Sequence, residues 1–334
     1  MTARVEAARD FLAGTDWAGA TSRTLAGDAG NRLYARLISS NGHSAILMDA
    51  PPTKGEDVRP FLDIGQWLIS LGLSAPHIYT ADAAAGFLLL EDLGDALFAR
   101  VVADDPGLEA VAYAAAVDVL IEIAKAGPPA VEAYDPDTMG TLAGLAGTWY
   151  AGDTALAEAI AADVTLALKA LPESPRILAL RDYHAENLLW LPDRRGEARV
   201  GLLDFQDARV GHGAYDMASL LRDARRDVAE DLQSELAMRY ARGMGWPLSD
   251  MEAALAAQGA QRNLRILGVF ARLSLHYKKP SYVDLIPRVW RNLQAELSHP
   301  SLASLRDIVR RLPEPNPAQL KDLKERCGTI PTLV

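Results

Sequence analysis

The chain has 334 residues, 49% of them apolar and 23% charged, with one cysteine and a net charge of −10. This length and apolar share predict a sizeable core split over two lobes, while the acidic balance speaks against nucleic acid or an anionic membrane as partner, since both require clustered positive charge. The lone Cys327 excludes an intrachain disulfide and a cysteine metal site, and no apolar run approaches the roughly 18 residues of a membrane span, so the expected setting is a reducing cytoplasm, with a small-molecule partner, no targeting segment and no obligate protein partner.

In chain order, residues 2–13 carry Val5, Ala8 and Leu12 at spacings near 3.6 and predict an amphipathic helix. The period then changes. "TSRTLAGDAGNRLYARLIS" alternates on both sides of a Gly-Asp-Ala-Gly turn and "HSAILMDA" adds another apolar run, which predicts three antiparallel strands over 21–49. A helix is expected at 56–71, closed by Gly72, then a hairpin of "PHIYTAD" with "AGFLLLEDLG". The remainder reads as mainly helical, at 107–126, 141–170 and, in two or three pieces broken near 243–247, over 213–275. Short strands at 177–180, 188–191 and 198–205 interrupt it, and "LPEPNP" at 312–317 predicts the path to an extended tail. The pattern predicts an α+β chain of two lobes: a β-rich lobe over 1–93, a connector near Glu91 to Asp95, and a larger helical lobe over 94–334.

The stretch "ALRDYHAENLLWL" places Asp182, His184, Glu186 and Asn187 between two apolar runs, where a structural chain needs only a short polar turn. Asp182 and Asn187 are five apart, and Asp204 closes the next apolar strand 17 residues later. Two carboxylates and an amide supply a base and two oxygen ligands, the sparse set that suits Mg²⁺ bound together with phosphates. Phosphoryl transfer asks the protein mainly for positioning, charge neutralisation and one carboxylate to accept a hydroxyl proton. Singly, each of these residues is explained as a helix cap or turn former; it is their coincidence that points to chemistry.

"LRDYHAENLLWL" resembles the catalytic loop of protein kinases, with the same Asp-to-Asn interval, and "LLDFQD" resembles the metal-binding segment that follows it. The longer run "RDYHAENLLW…GLLDFQDARVGHGAYDMASLL" resembles the aminoglycoside phosphotransferase family, and the likeness extends over about residues 20 to 300. It implies a two-lobed protein-kinase-like fold using ATP and Mg²⁺, with Asp182 as catalytic base, Asn187 and Asp204 as metal ligands, and His184 beside the transferred phosphate. Read alone, His184 is equally a core histidine. "LAGDAGNRLYAR" resembles the phosphate-covering hairpin, which assigns Gly27 and Gly30 to the nucleotide, and "LLLEDLGD" resembles the hinge, where backbone groups from Glu91 to Leu93 would bond adenine. The lysine that kinases carry on the third strand is missing: "AILMDAPP" offers Met48 or Asp49. Arg32 and Arg36 are possible substitutes, and Arg36 is preferred because Leu33, Ala35 and Leu37 form one face of its strand and leave alternate residues for the other.

"MDAPP", "EDLGD", "LLDFQDA" and "IPRVW" resemble segments of a bacterial subgroup that phosphorylates the anomeric hydroxyl of N-acetylmuramic acid, N-acetylglucosamine or similar sugars in peptidoglycan recycling. For the sugar, Trp149 and Tyr150 in "GTWY" would offer a ring to an apolar sugar face, and Asp207, Arg222 and "QRNLR" at 261–265 further polar groups. The alternatives are an aminoglycoside or amino-alcohol phosphotransferase, a nucleotide-binding pseudokinase, and a metal hydrolase ligated by Asp182, His184 and Glu186.

Overall fold

The structure is a computed structural model, and it describes residues 2–25 and 31–330; Gly27 and Gly30 lie outside the described residues. The chain divides into two units, Met1–Val119 with Glu186–Ala208, and Leu120–Ala185 with Arg209–Val334. The boundary expected near residue 93 falls inside the first.

The first unit opens with α1 (Thr2–Leu12), β1 (Thr21–Thr24), β2 (Leu33–Ile38), β3 (Ser44–Asp49), α2 (Arg59–Ser70), β4 (Ile78–Asp82) and β5 (Phe87–Glu91). The five strands form one antiparallel sheet in the order β1-β2-β3-β5-β4. Strand alternation separates its faces. Leu37, Ala45, Leu47, Phe87 and Leu89 make one apolar face, which Ala8 and Phe11 of α1 cover, and Arg4 fastens α1 by bonding Asp49 at 2.7 Å while lying over the Phe87 ring. Tyr34, Arg36 and Ile46 belong to the opposite face.

Next come α3 (Phe98–Asp104) and α4 (Glu109–Ala126), within which the chain passes to the second unit; α5 (Pro136–Ala143), α6 (Thr154–Lys169) and β6 (Arg176–Ala179) follow. β7 (Leu188–Trp190) and β8 (Val200–Leu202) then form a hairpin that belongs to the first unit. The Leu202 N–H donates to the Ser74 carbonyl at 2.9 Å and the Trp190 N–H to the Ala96 carbonyl at 2.8 Å. The strands bordering the polar stretch are therefore not partners of one another. β6 pairs instead with β9 (Arg209–His212), a strand over residues to which the sequence patterns assign no element.

The rest of the second unit is α7 (Ala214–Leu221), α8 (Glu230–Met244), α9 (Leu248–Leu275), α10 (Ile286–Leu297), α11 (Ala303–Val309) and α12 (Pro317–Glu325). Gly245 at φ 68° ends α8, and Pro247 precedes the first turn of α9. The tail expected to be extended is helical, because Asn316 accepts from the Ala318 and Gln319 N–H groups and so caps α12. The helix expected over 141–170 is broken by a π-turn at Ala146–Ala151. There Gly147 leaves only 2.5 Å between an added Cβ and the Ala157 Cα, so a larger residue would separate the turn from α6. Among the described residues, no helix is long and apolar enough to cross a membrane.

Candidate active site

The first unit contains a cavity of about 380 Å³, within the size range of small-molecule sites. Leu25, Ile46, Leu90, Leu189 and Leu203 give it apolar walls suited to a flat aromatic base. Glu91 and Leu93 line it where β5 ends. The Glu91 N–H donates to the His77 carbonyl at 2.8 Å, and its carboxylate accepts from Arg194 at 2.6 Å, so this segment is held from both sides.

Asn187 and Asp204 border the same cavity. The register of β7 and β8 pairs Leu188 with Leu202, which brings Asn187 and Asp204 to one end of the hairpin, and the Leu203 N–H donates to the Asn187 carbonyl at 3.0 Å. Asp204 has φ 56°, in the left-handed region that is strained for a non-glycine residue and gathers at functional sites. Its neighbour Phe205 is fully buried, with its ring 4.7 Å from that of Phe61 and beside Gly65 of α2, so the strained turn is anchored by packing. Gln206 donates to the Asp204 Oδ1 at 2.6 Å. One carboxylate and one amide oxygen fit Mg²⁺, which takes few protein ligands. Among the described residues, no three His, Cys, Asp or Glu side chains gather into a metal cage.

Asp182 lies in the second unit, in the loop after β6. Arg181 takes φ 74°, and the backbone N–H groups of Leu180 and Arg181 both donate to Asp216 of α7, at 2.6 and 2.9 Å. Asp216 thus fixes the turn that aims Asp182, and burial pushes its own carboxyl up to about 7. Asp182 is one-third exposed, with Arg265 of α9 3.6 Å from its Oδ1. Burial tends to raise its pKa, but Arg265 and Arg262 outweigh that and hold the carboxyl below its ordinary range. It is therefore an anion at neutral pH. His184 is buried, 3.5 Å from Arg225, and burial pushes it down to about 4, so it presents a neutral ring.

Other expected site residues lie differently. Arg36 lines the cavity, but its guanidinium is bound by Asp92 and Asp95, each at 2.6 Å, and those partners raise its pKa. It is thus taken up by carboxylates, which strand alternation could not show because Asp92 and Asp95 lie 56 and 59 residues further along. Tyr150 is core: it is 3% exposed, and its hydroxyl donates to the Pro313 carbonyl at 2.8 Å. Trp149 packs on the same core with its ring 6.0 Å from His276, at the end of α9 three turns beyond Arg265, or roughly 16 Å along the axis. Neither forms an aromatic platform at Asp182. Arg222 pairs with Glu296 at 3.1 Å, not with Asp216 or Asp223, and lines a second cavity of about 490 Å³. Asp207 is exposed and belongs to the first unit. Asp216 carried no local signal of its role; the usable signal for Arg262 and Arg265 was two arginines three apart on an otherwise buried helix.

The sequence profile described as the phosphotransferase enzyme family (APH) matches residues 21–257. An N-acetylmuramate/N-acetylglucosamine kinase of Caulobacter vibrioides is 37% identical, covering 89% of this chain and 93% of that protein. A choline/ethanolamine kinase family protein from Mesorhizobium loti superposes with a TM-score of 0.62 at 16% identity, covering 92% of this chain and 99% of that one. An aminoglycoside phosphotransferase from Streptomyces rimosus, solved with ADP and streptomycin, gives 0.50 at 15% identity over 78% of this chain and 99% of that one. At such identities the two structures speak for the fold alone.

Proposed function

Because the chain belongs to the phosphotransferase enzyme family, we propose that it transfers the γ-phosphoryl group of ATP to the anomeric hydroxyl of an amino sugar, N-acetylmuramic acid or N-acetylglucosamine, in the recycling of peptidoglycan in the cytoplasm. The observation that carries the substrate is the similarity, over nearly the whole chain, to a kinase named for these two sugars.

In the proposed step the anomeric oxygen bonds to the γ-phosphorus, the bond from phosphorus to the β–γ bridging oxygen breaks, and ADP leaves with that electron pair. The hydroxyl proton passes to Asp182. A carboxylate held below its ordinary pKa is a weak base toward a resting alcohol. The proton therefore moves late, once the bond to phosphorus has acidified the oxygen, and until then the anion orients the hydroxyl. A hemiacetal hydroxyl is more acidic than an ordinary alcohol, which eases this transfer. Asn187 and Asp204 would hold Mg²⁺, which supplies charge neutralisation on the phosphates. The apolar slot takes adenine, with Glu91 and Leu93 at its edge.

Local charge favours this acceptor over a choline-like or polycationic one. Arg265, Arg262 and Arg181 all act on Asp182, and cations around an acceptor site oppose a cationic ligand and welcome a carboxylate such as that of N-acetylmuramic acid. The net charge of −10 would point the other way, but the charge nearest the reacting group decides. The test is incubation with ATP, Mg²⁺ and either sugar, read by phosphorus NMR. The expected product is a phosphate coupled to the anomeric proton, with loss of the reducing end; a 6-phosphate or no ester would contradict the reading.

A further inference from the structure

The missing strand-three lysine leaves a kinase without its phosphate-binding cation. Ile46 lines the nucleotide cavity. Met48, two residues on and therefore on the same strand face, stands where that lysine is expected, but it is 1% exposed and cannot carry a charge toward phosphate. Lys54, further along, is exposed.

β2 is the neighbouring strand, with Tyr34 opposite Met48 and Arg36 opposite Ile46. Alternation puts Arg36, Tyr34 and Arg32 on one side of this strand, and four residues of strand span about 13 Å. The two arginines therefore mark opposite ends of this segment: Arg36 lines the cavity, and Arg32 approaches it through Asp204, which also lines it. Arg36 is bound to the hinge carboxylates Asp92 and Asp95. At the other end Arg32 has its Nε 3.1 Å from Glu56, and its Nη1 lies 4.0 Å from Asp204, close enough for attraction but beyond hydrogen-bond length. Glu56 is itself held by the Asn31 N–H at 3.1 Å. Arg32 is 13% exposed and Glu56 16%, so the pair is screened from solvent far more than a surface bridge.

From this arrangement we propose that Arg32 is the phosphate-contacting cation of the enzyme, taking the part of the absent lysine, and that Glu56 is its positioning residue. The proposal rests on the ATP-dependent reading above. A guanidinium suits the task because its planar fork can hold Glu56 through one edge and present another edge to phosphate oxygens, which a lysine ammonium cannot do in a fixed direction. The chain has thus moved the cation from β3 to the start of β2 and its partner carboxylate to the loop before α2.

The test is calorimetric titration of ATP and of adenosine into wild type, Arg32→Met, Arg32→Lys, Glu56→Gln and the Arg32→Met/Glu56→Gln double variant. Arg32→Met should weaken ATP binding by about ten- to a hundredfold, the size of one charge-assisted contact, while adenosine binding changes less than about twofold. Arg32→Lys should recover part of the loss. Glu56→Gln should weaken ATP binding in the wild-type background and add nothing in the Arg32→Met background, since a positioning residue has no effect without the group it positions. Unchanged ATP affinity in Arg32→Met, or equal loss for ATP and adenosine, would overturn the proposal alone. A wild type that binds no ATP would remove the kinase reading and the proposal with it.

Discussion

Arginines serve both functional regions of this molecule, yet in opposite ways. Beside the proposed nucleotide cavity each of two arginines faces two carboxylates: Arg36 those of Asp92 and Asp95, Arg32 those of Glu56 and Asp204. There the carboxylates outnumber the arginines two to one, and each guanidinium is held in a fixed direction by its partners. Around Asp182 three cations, Arg265, Arg262 and Arg181, lower the pKa of one carboxylate, and Asp223 shares Arg262 with it. The first arrangement fixes a shape, whereas the second fixes a protonation state and sets the sign of charge that an acceptor meets.

The contrast is broken most severely by removing the anion. Asp182→Asn should lower turnover by at least about a hundredfold while ATP affinity stays close to wild type, measured by steady-state kinetics beside calorimetry. Removing the carboxylate at the other region should act on the opposite parameter: Asp204→Asn should weaken ATP binding in the presence of Mg²⁺ by about tenfold or more and leave adenosine binding unchanged. A subtler change sharpens the difference. Arg265 helps to lower the Asp182 pKa, so Arg265→Met should move the acid limb of the turnover–pH profile to higher pH and reduce the preference for the anionic sugar about three- to tenfold.

The smallest effect concerns stability. Glu296 is buried, and that burial pushes its carboxyl up to about 7 despite Arg222 at 3.1 Å. A carboxyl whose folded pKa lies above its unfolded value contributes stability that is present at acid pH and is lost as pH rises through about 7. Glu296→Gln should therefore flatten the fall in Tm between pH 5 and 7.5 by an amount equivalent to roughly 2 kcal/mol.

The two regions also differ in how far the sequence exposed them. The nucleotide region was legible because its parts are local: strand alternation over Leu33–Ile38 and the short interval from Asn187 to Asp204 each carry their own signal. Choosing between the two arginines on one face, however, requires knowing where Asp92, Asp95 and Glu56 fold. The surroundings of Asp182 were hardly legible. Asp216 and Arg265 lie 34 and 83 residues further along, on helices whose apolar residues announce a core while hiding which polar side chain turns toward the loop. "GTWY" misled for the same reason. Tyr150 and Trp149 are placed by the packing of a π-turn against α9 and the tail, and no residue spacing encodes that.

The most direct measurement is a competition: the protein with ATP, Mg²⁺ and equal concentrations of N-acetylmuramic acid, choline and an aminoglycoside, with products identified by mass spectrometry. The arginine-framed Asp182 predicts that phosphate accumulates on the sugar as its 1-phosphate, with the cationic acceptors left unmodified. Phosphocholine or a phosphorylated aminoglycoside as the main product would contradict it.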